Sequence, residues 1–368
     1  MQGGCARRPI LVGPLVARYT DGMDTPEKRR WYCPTPGWLV LGSMAVTGLL
    51  FLSERWRWFW FNEHKGWTVL VAVAGVGVVL AVMLLWWLVA LVFRWRFQFG
   101  IRTLLVLTVA VALPCSWLAV EIKEAAKQAA AVDAIRSENG KLCYDYERDA
   151  PLTGAVPNGP EWPRTLLGVD FFNSVVQAWL DDDAQMESLT GLSHLQWLEL
   201  GGGKISDRGL VYVECLPHLT SLRVSKTQVT DAGLAHIARL ARLTDLYLDQ
   251  EQITDIGLSH IARLTQLTNL VLNHAQVTDA GLMDVARHRQ LQALWLNGSS
   301  ITDAGLAHII GLNALQSLSL DDTQVSDAGL VRIASLTDLR ELWIRGTKVT
   351  ELGVRKFQQT LPNCTIEY

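Results

Sequence analysis

Two sets of side chains recur at a fixed spacing and belong to types that could perform acid–base or metal chemistry. His236, His260 and His308 occupy one position of a 24-residue pattern, and Asp284 takes that position in another copy. Imidazole and carboxylate groups are common general bases and metal ligands. Aspartates recur at the same spacing: Asp207, Asp231, Asp255, Asp279, Asp303 and Asp327.

The elements that must position these groups favour a structural role for them. The pattern Thr/Ser-Asp/Glu-x-Gly occurs seven times, from Ser206 to Gly353. A hydroxyl before an apolar helical run predicts an N-cap, and the acid beside it complements the helix dipole. We therefore interpret the aspartates as capping residues and the histidines as solvated helix-face residues. No catalytic, cofactor-binding or metal-binding residue is predicted, since no nucleophile-elbow, P-loop or zincin motif occurs.

A second pattern, L-x-x-L-x-L, precedes each hydroxyl-acid pair. It runs from Leu195, Leu198 and Leu200 to Leu339, Leu342 and Ile344. The last two apolar positions are two residues apart, which is typical of a strand. Each unit is then a strand, a turn and a helix of about ten residues with one apolar face. Stacked units would share a continuous core and one parallel sheet, so the predicted fold is an α/β solenoid.

The two patterns together resemble those of the leucine-rich repeat family. The Thr-Asp-x-Gly-Leu half is most similar to the short repeats of its cysteine-containing and planctomycete-type branches. This resemblance covers Leu195 to Tyr368 and implies a horseshoe whose parallel sheet lines the concave face. The 24-residue phase places a last strand at Ile366 and a degenerate first strand at Val176, so we expect the repeat domain to span 171–368.

Long uncharged segments in the first third of the chain predict a transmembrane region at 37–120. Its spans are expected at about 38–52, 68–93 and 103–120, with the first the shortest. Aromatic residues at 56–61 alternate with arginines, as in segments at the bilayer interface. We expect a poorly structured N-terminus at 1–36, in which Met23 is an alternative start.

Between these two regions, residues 121–170 are expected to form a juxtamembrane helix, a short strand and a loop rich in Pro and Gly. The strand is predicted at Leu142 to Tyr146 and the loop at Pro151 to Pro163. This order of elements is similar to that of membrane-anchored leucine-rich repeat proteins of planctomycete bacteria. Arginines crowd the link between the second and third spans, so the positive-inside rule predicts a multi-pass protein with extracytoplasmic repeats.

Bulk composition excludes some other classes of function. The chain has 368 residues, a net charge of −3 and no long basic run outside the membrane edges, so no nucleic-acid partner is expected. Its six cysteines lack zinc-site spacing and predict no disulfide framework.

One face of the predicted sheet carries large aromatic residues. The column between the last two apolar strand positions contains Glu199, Arg223 and Ser319, together with the candidate partner-binding residues Tyr247, Val271, Trp295 and Trp343. Exposed aromatic residues are enriched at interfaces, although cross-strand aromatic pairs also stabilise sheets without any partner. Two residues later, a column of hydrogen-bonding groups would rim them: Asp249, Asn273, Asn297, Asp321 and Arg345.

These observations predict a membrane-anchored binding or scaffold protein that is not an enzyme. Its partners would be an unidentified protein or peptide and the lipid bilayer, and it would need no cofactor. Three alternatives remain open at this point. They are a structural envelope component that self-associates through its repeats, an adaptor for protein turnover resembling F-box leucine-rich repeat proteins, and a regulatory or enzymatic membrane subunit.

Overall fold

The described segments before residue 138 are helical, and the last of these helices reaches the repeats. A computed structural model describes residues 36–56, 66–92, 101–147, 156–159, 161–249 and 252–368. The predictions for 1–35, for most of the aromatic segment, for the link at 93–100 and for part of the Pro/Gly loop lie outside these residues. The elements are α1 (Pro36–Trp56), α2 (Trp67–Val92), α3 (Ile101–Ser137), β1 (Lys141–Tyr144), α4 (Glu161–Leu167) and α5 (Val169–Phe172).

The repeats then alternate strands with short helices to the end of the chain. They are β2 (Val175–Asp182), α6 (Asp183–Met186), β3 (Trp197–Lys204), α7 (Asp207–Leu210), β4 (Ser221–Ser225), α8 (Asp231–Ile237), β5 (Asp245–Asp249), α9 (Asp255–Ile261), β6 (Asn269–Val271), α10 (Leu282–Val285), β7 (Ala293–Trp295), α11 (Asp303–Ile309), β8 (Ser317–Ser319), α12 (Asp327–Ile333), β9 (Glu341–Trp343), α13 (Glu351–Thr360) and β10 (Thr365–Glu367). Two 3-10 helices, Glu187–Gly191 and Val211–Cys215, extend α6 and α7.

One sheet of ten strands runs through the domain in sequence order. Strands β2 to β10 are parallel, and β1 pairs with β2 in the antiparallel sense. Leu246, Leu270 and Leu294 are aligned on adjacent strands and are fully buried, so they form one interior row. The predicted solenoid with a shared core and a parallel sheet is therefore confirmed, as is the last strand at Ile366, which aligns with Leu342.

The first strand lies where the 24-residue phase predicts it, since β2 contains Val176, but its register with the next strand is shifted. Leu180, not Val176, is aligned with Leu200. The capping phase does hold, since Asp183 precedes Asp207 by one full period and starts α6. The turn between strand and helix is therefore shorter in this repeat than in the next. A terminal repeat tolerates this change because it has a repeat neighbour on one side only.

The repeat helices are shorter than the predicted ten residues. Helices α8, α9, α11 and α12 each have seven residues, and only α13 has ten. Beyond Ile237, the amides of Arg239 and Leu240 bond to carbonyls three residues back. Such bonds tighten the end of a helix and release the chain toward the next strand.

The recurring aspartates join successive repeats. In α8, Thr230 caps the helix as predicted, because its hydroxyl oxygen accepts a hydrogen bond from the amide of Ala232. The Asp207 carboxylate accepts from both the amide and the hydroxyl of Thr230, at 2.8 and 2.7 Å. The same pair of bonds recurs at every junction, with acceptor and donor residues Asp183–Ser206, Asp231–Thr254, Asp255–Thr278, Asp279–Thr302, Asp303–Ser326 and Asp327–Thr350.

The glycine of each motif is required by this junction. A Cβ atom on Gly257 would lie less than 3.0 Å from the Asp231 carboxylate and from Leu234 Cδ1. Real Cβ atoms essentially never approach other atoms so closely, so the helix can pack against the preceding carboxylate only where Cβ is absent. In each motif, the Thr or Ser therefore caps its own helix, and the Asp binds the next repeat. The Gly leaves room for the aspartate of the previous repeat.

Helix α3 closes the N-terminal end of the repeat core. Its last turns contribute Ala131, Val132 and Ile135 to the same buried cluster as the repeat leucines. Close packing is visible at Gly191, where a Cβ atom would lie 2.7 Å from Ala131 Cβ. Gln128 also joins α3 to α5, because its amide donates to Asp170 Oδ1 at 2.7 Å. The structural cap of the solenoid thus begins within the predicted juxtamembrane helix.

Two of the N-terminal helices are long and apolar enough to cross a bilayer. They cover Trp67–Leu85 in α2 and Leu105–Ser137 in α3, whereas the apolar stretch of α1, Met44–Ser53, is shorter. By length and composition alone this is weak evidence for a membrane, because buried core helices pass the same test.

Replacing Gly257 by Ala should destabilise the repeats by about 1–3 kcal/mol, because the new methyl group must displace the Asp231 carboxylate or Leu234. The matched control is Gly203→Ala, where an added Cβ meets nothing within 4 Å and a change within about 0.5 kcal/mol is expected. Denaturant unfolding of the two variants, followed by circular dichroism, measures the difference. Equal midpoints would contradict the packing role assigned to the glycine.

Replacing Ile135 by Ala should cost about 2–5 kcal/mol in the first repeats, because a fully buried side chain is lost from the shared core. Ile122→Ala in the same helix removes an exposed side chain and serves as the control. Hydrogen exchange of the β2 and β3 amides should rise in the first variant only. Unchanged protection would show that α3 is not part of the cap.

Candidate binding surface

The sheet face opposite the repeat helices carries the predicted aromatic column in register. Glu199, Arg223, Tyr247 and Val271 are aligned on adjacent strands. Trp295, Ser319 and Trp343 continue the row. With neighbouring strands about 4.8 Å apart, Tyr247 and Trp343 lie roughly 20 Å apart.

Two tryptophans of this row form one apolar surface. Trp295 and Trp343 lie on β7 and β9, yet their ring centroids are 5.9 Å apart and the rings are tilted by 55°. They meet because the residue between them, Ser319, is small and only 3% exposed. Trp295 keeps 38% of its surface exposed. An indole pair of this kind offers a partner a rigid apolar contact.

Val271 does not belong to the exposed surface, contrary to the expectation from its position in the row. It is only 5% exposed. Its neighbours in the row, Tyr247 and Trp295, have much larger side chains, which leave little of the valine accessible. We call Tyr247, Trp295 and Trp343, with Val271 between them, the aromatic strip.

The N-terminal end of the strip is cationic as well as aromatic. The Arg223 guanidinium carbon lies 5.5 Å from the Tyr247 ring centroid, a cation–π arrangement. Burial, followed by the negative charge of Asp245, raises the pKa of the Tyr247 hydroxyl. Tyr247 is therefore a neutral hydroxyl at physiological pH.

The column of hydrogen-bonding groups predicted beside the strip is largely bonded to itself. Asn273 donates to Asp249 at 3.0 Å. Asn297 Oδ1 accepts from the Ser319 hydroxyl and from the amide of Asp321. Asp321 in turn accepts from the amide of Arg345, at 2.6 Å. These hydrogen bonds link the C-terminal ends of neighbouring strands, so part of the hydrogen-bonding capacity of these side chains is already used.

The same face contains functional candidates that the predicted columns omit. Trp179 and Trp197 lie on β2 and β3 with ring centroids 5.0 Å apart, which gives a second aromatic pair near the N-terminal end. A third column, two residues before the aromatic one, adds Asp245 and Glu341. The two-residue alternation that identifies the first column also identifies this one, so the signal was present in the sequence.

A cleft of about 490 Å³ lies where this face meets the strand-to-helix turns. Its lining alternates in charge, with Glu199 and Asp249 opposed by Arg223 and Lys226. Lys226 and His274 occupy the same turn position in their repeats and have φ of 53° and 57°. That left-handed turn projects both side chains beside the sheet face.

His236 contacts the preceding repeat, and Cys364 belongs to the buried core. His236 Nδ1 lies 2.7 Å from Glu214, and this contact lowers the pKa of the Glu214 carboxyl. Burial raises the pKa of the Cys364 thiol to about 11. Within the described ranges, no three His, Cys, Asp or Glu residues are grouped so that they could hold a metal ion.

His288 should make stability depend on pH. It is 1% exposed and its Nδ1 lies 3.0 Å from the Leu264 carbonyl, and burial lowers its pKa below the usual 6.5. The unfolded chain therefore binds more protons, and stability should fall as pH drops below 6.5. In His288→Gln, the loss of stability at low pH should be smaller than in the wild type. His308 is exposed, so His308→Gln should lose as much stability as the wild type. Unfolding midpoints at several pH values test this, and identical slopes for His288→Gln and wild type would contradict it.

Comparison with known proteins is consistent with this geometry. A family model described as a leucine-rich repeat matches residues 215–238, which is one period of the pattern. No curated protein sequence matches the chain. Similar solved structures include an internalin (inlF) from Listeria monocytogenes, with 23% identity, a TM-score of 0.41 and coverage of 51% of this chain and 57% of the internalin. Another is internalin C2 (inlC2) from the same organism, with 24% identity, a TM-score of 0.38 and coverage of 50% and 84%.

The chain therefore spans less than two thirds of the first internalin. The matched unit at 215–238 is repeated on both sides with the same strand register and the same aspartate junctions. The C-terminal part of this chain is a solenoid of stacked strand–helix units, one of which matches the leucine-rich repeat family model.

Proposed function

We propose that this chain is a membrane-anchored leucine-rich repeat protein that binds a protein or peptide through the aromatic strip and has no catalytic role. The observation that carries the proposal is the indole surface of Trp295 and Trp343, which lies on the sheet face away from the core. Neither the core nor the helices require an exposed tryptophan, whereas tryptophan is enriched at interfaces.

The geometry of the strip supports binding over simple sheet stabilisation. A tryptophan pair that served only the fold would gain most from complete burial, yet Trp295 keeps more than a third of its surface exposed. Ser319 is small enough for the two rings to meet above it, so a partner side chain would contact one continuous indole surface. The bonded polar column holds the strip rigid, so a partner would lose little free energy in ordering it.

Membrane anchoring is supported by the form of α3. This helix runs from an apolar segment directly into the cap of the repeat core, and α2 packs beside it. We infer that α2 and α3 span the bilayer and that α1 is a third, shorter span. With a cytoplasmic N-terminus, as the positive-inside rule predicts, the repeats would face outside the cytoplasm.

A structural component that self-associates is the second candidate. It is favoured by exposed apolar side chains on the helix side of the repeats, namely Ile256, Met283, Val331 and Leu352. Light scattering of the purified full chain tests it. A monomer at micromolar concentration would remove this candidate.

Substituting both Trp295 and Trp343 by Ala should leave unfolding cooperative but reduce partner recovery by at least tenfold, because the loss of two anchors of this type costs more than about 1.4 kcal/mol. The assay is affinity capture from cross-linked, detergent-solubilised native membranes, quantified by mass spectrometry. Trp162→Ala, which removes a largely exposed tryptophan on α4, is the matched control. Capture that survives the double substitution would place the binding site elsewhere.

Sidedness has a separate test. A C-terminal tag should be cleaved by protease added to intact cells with the outer barrier permeabilised, because the proposed topology leaves the repeats outside the cytoplasmic membrane. A cytoplasmic marker protein must stay intact in the same sample. Protection of the tag until the inner membrane is lysed would reverse the topology, and recovery of the full chain in the soluble fraction would exclude anchoring.

A further inference from the structure

The sheet face that holds the aromatic strip carries a marked excess of negative charge. The strand positions of this face from β3 to β10, together with the next residue in the same two-residue alternation, contain six carboxylates and two cations. The repeat region 171–368 has 22 acidic and 15 basic residues, a net charge of −7, and this face contributes −4 of that charge. The carboxylates are Glu199, Asp245, Asp249, Asp321, Glu341 and Glu367, and the cations are Arg223 and Arg345.

Both cations of this face are already engaged. Arg223 lies against the Tyr247 ring. Arg345 pairs with Glu367 at 2.7 Å. Among the residues that the structure describes, the other five carboxylates of the face make no ion pair. Their charge is left for a partner or for solvent.

Neutral donors fix several of these carboxylates in place. The Ser317 hydroxyl donates to Glu341 at 2.7 Å, and the Asn273 amide donates to Asp249 at 3.0 Å. Asn269 and Thr244 both donate to Asp245. A neutral donor orients a carboxylate without cancelling its charge, so these groups form a preorganised negative surface.

From this arrangement we infer the chemistry of the partner: a protein segment that places Lys or Arg side chains beside an apolar side chain. The inference rests on the proposed function and gives its binding site a specificity. The apolar group contacts Trp295 and Trp343, and the cations lie near Glu341 and Asp321. Acidic segments and nucleic acids are repelled by the same face, because like charges across an interface are unfavourable.

The spacing of the groups matches an extended segment. Glu341 and Trp343 point to the same face of β9 and are two residues apart, which is about 7 Å along a strand. An extended peptide presents its own alternate side chains at that distance. A basic residue two positions from an apolar residue can therefore contact Glu341 and the indole pair together, and the cation can also face a ring of the strip.

The test uses the full chain in nanodiscs of zwitterionic phosphatidylcholine, with empty nanodiscs as the blank. The probes are three fluorescein-labelled synthetic peptides. One repeats Lys-Ser-Leu-Ser, one replaces each Lys by Glu, and one replaces each Leu by Ser. Fluorescence anisotropy gives the affinity of each peptide. We expect the Lys-Ser-Leu-Ser peptide to bind more tightly than the peptide without Leu. The peptide with Glu in place of Lys, the Glu-Leu peptide, should not bind.

Two protein variants assign the effect to the strip. Glu341→Gln with Asp321→Asn keeps both hydrogen-bond acceptors and should weaken the Lys-Ser-Leu-Ser peptide roughly tenfold. Glu187→Gln with Glu351→Gln removes two exposed acids away from this face and should change little. Raising the salt from about 0.05 M to about 0.5 M should weaken wild-type binding more than binding by the first variant, because exposed charges are screened.

The outcomes separate the partner chemistry from the proposed function. Equal or tighter binding of the Glu-Leu peptide, no binding of any peptide, or insensitivity to Glu341→Gln with Asp321→Asn would overturn the inferred preference for cations. The function proposed for the strip is judged on the capture assay with Trp295→Ala and Trp343→Ala, which does not depend on the charge of the partner. Charge preference can thus fail while the strip remains a binding surface.

Discussion

The hydrogen bonds between each repeat aspartate and the hydroxyl residue of the next repeat determine the geometry of the domain. One carboxylate accepts two bonds from a single residue, at 2.8–2.9 Å from the amide and 2.5–2.7 Å from the hydroxyl. Two bonds to one residue set both the distance and the rotation between units. At the final junction they also lower the pKa of Asp327. The leucine rows, the strand register and the aromatic strip all depend on this constant distance and rotation between units.

Much of this fold is predictable from local chemistry, and the rest depends on contacts a full repeat away. The hydroxyl caps follow from their place before an apolar helix, as at Thr230. The role of Asp207 does not, because its partner lies 23 residues later and a helix dipole explains the same residue equally well. A clue existed in the first repeat, where Asp183 is retained although the residue before it is not a hydroxyl residue. The shortened first turn and the seven-residue helices depend on the ends of the stack and on tertiary packing.

The candidate site shows the same division. Periodicity alone places Tyr247, Trp295 and Trp343 in one row, and the strand register agrees with that placement. Periodicity does not predict which of these side chains are exposed or which hydrogen bonds they form. Val271 is covered because of its neighbours, and the polar column is bonded internally because a side chain two residues past the strand centre can reach the equivalent group of the next repeat. Both effects depend on side-chain size and direction across strands, which a repeating pattern does not encode.

Helix α3 has a mechanical consequence in the anchored arrangement proposed above. The helix passes unbroken from its apolar segment into the core at Ile135, so the two ends share one axis apart from any bend at Pro114. Helices tilt to match the thickness of the surrounding lipid. Because strands are spaced by about 4.8 Å, the Trp295 and Trp343 pair lies roughly 30 Å along the stack from the first repeat. A modest change in the tilt of α3 would therefore move that pair by several ångströms. The thickness of the bilayer would then determine the position of the pair relative to the membrane.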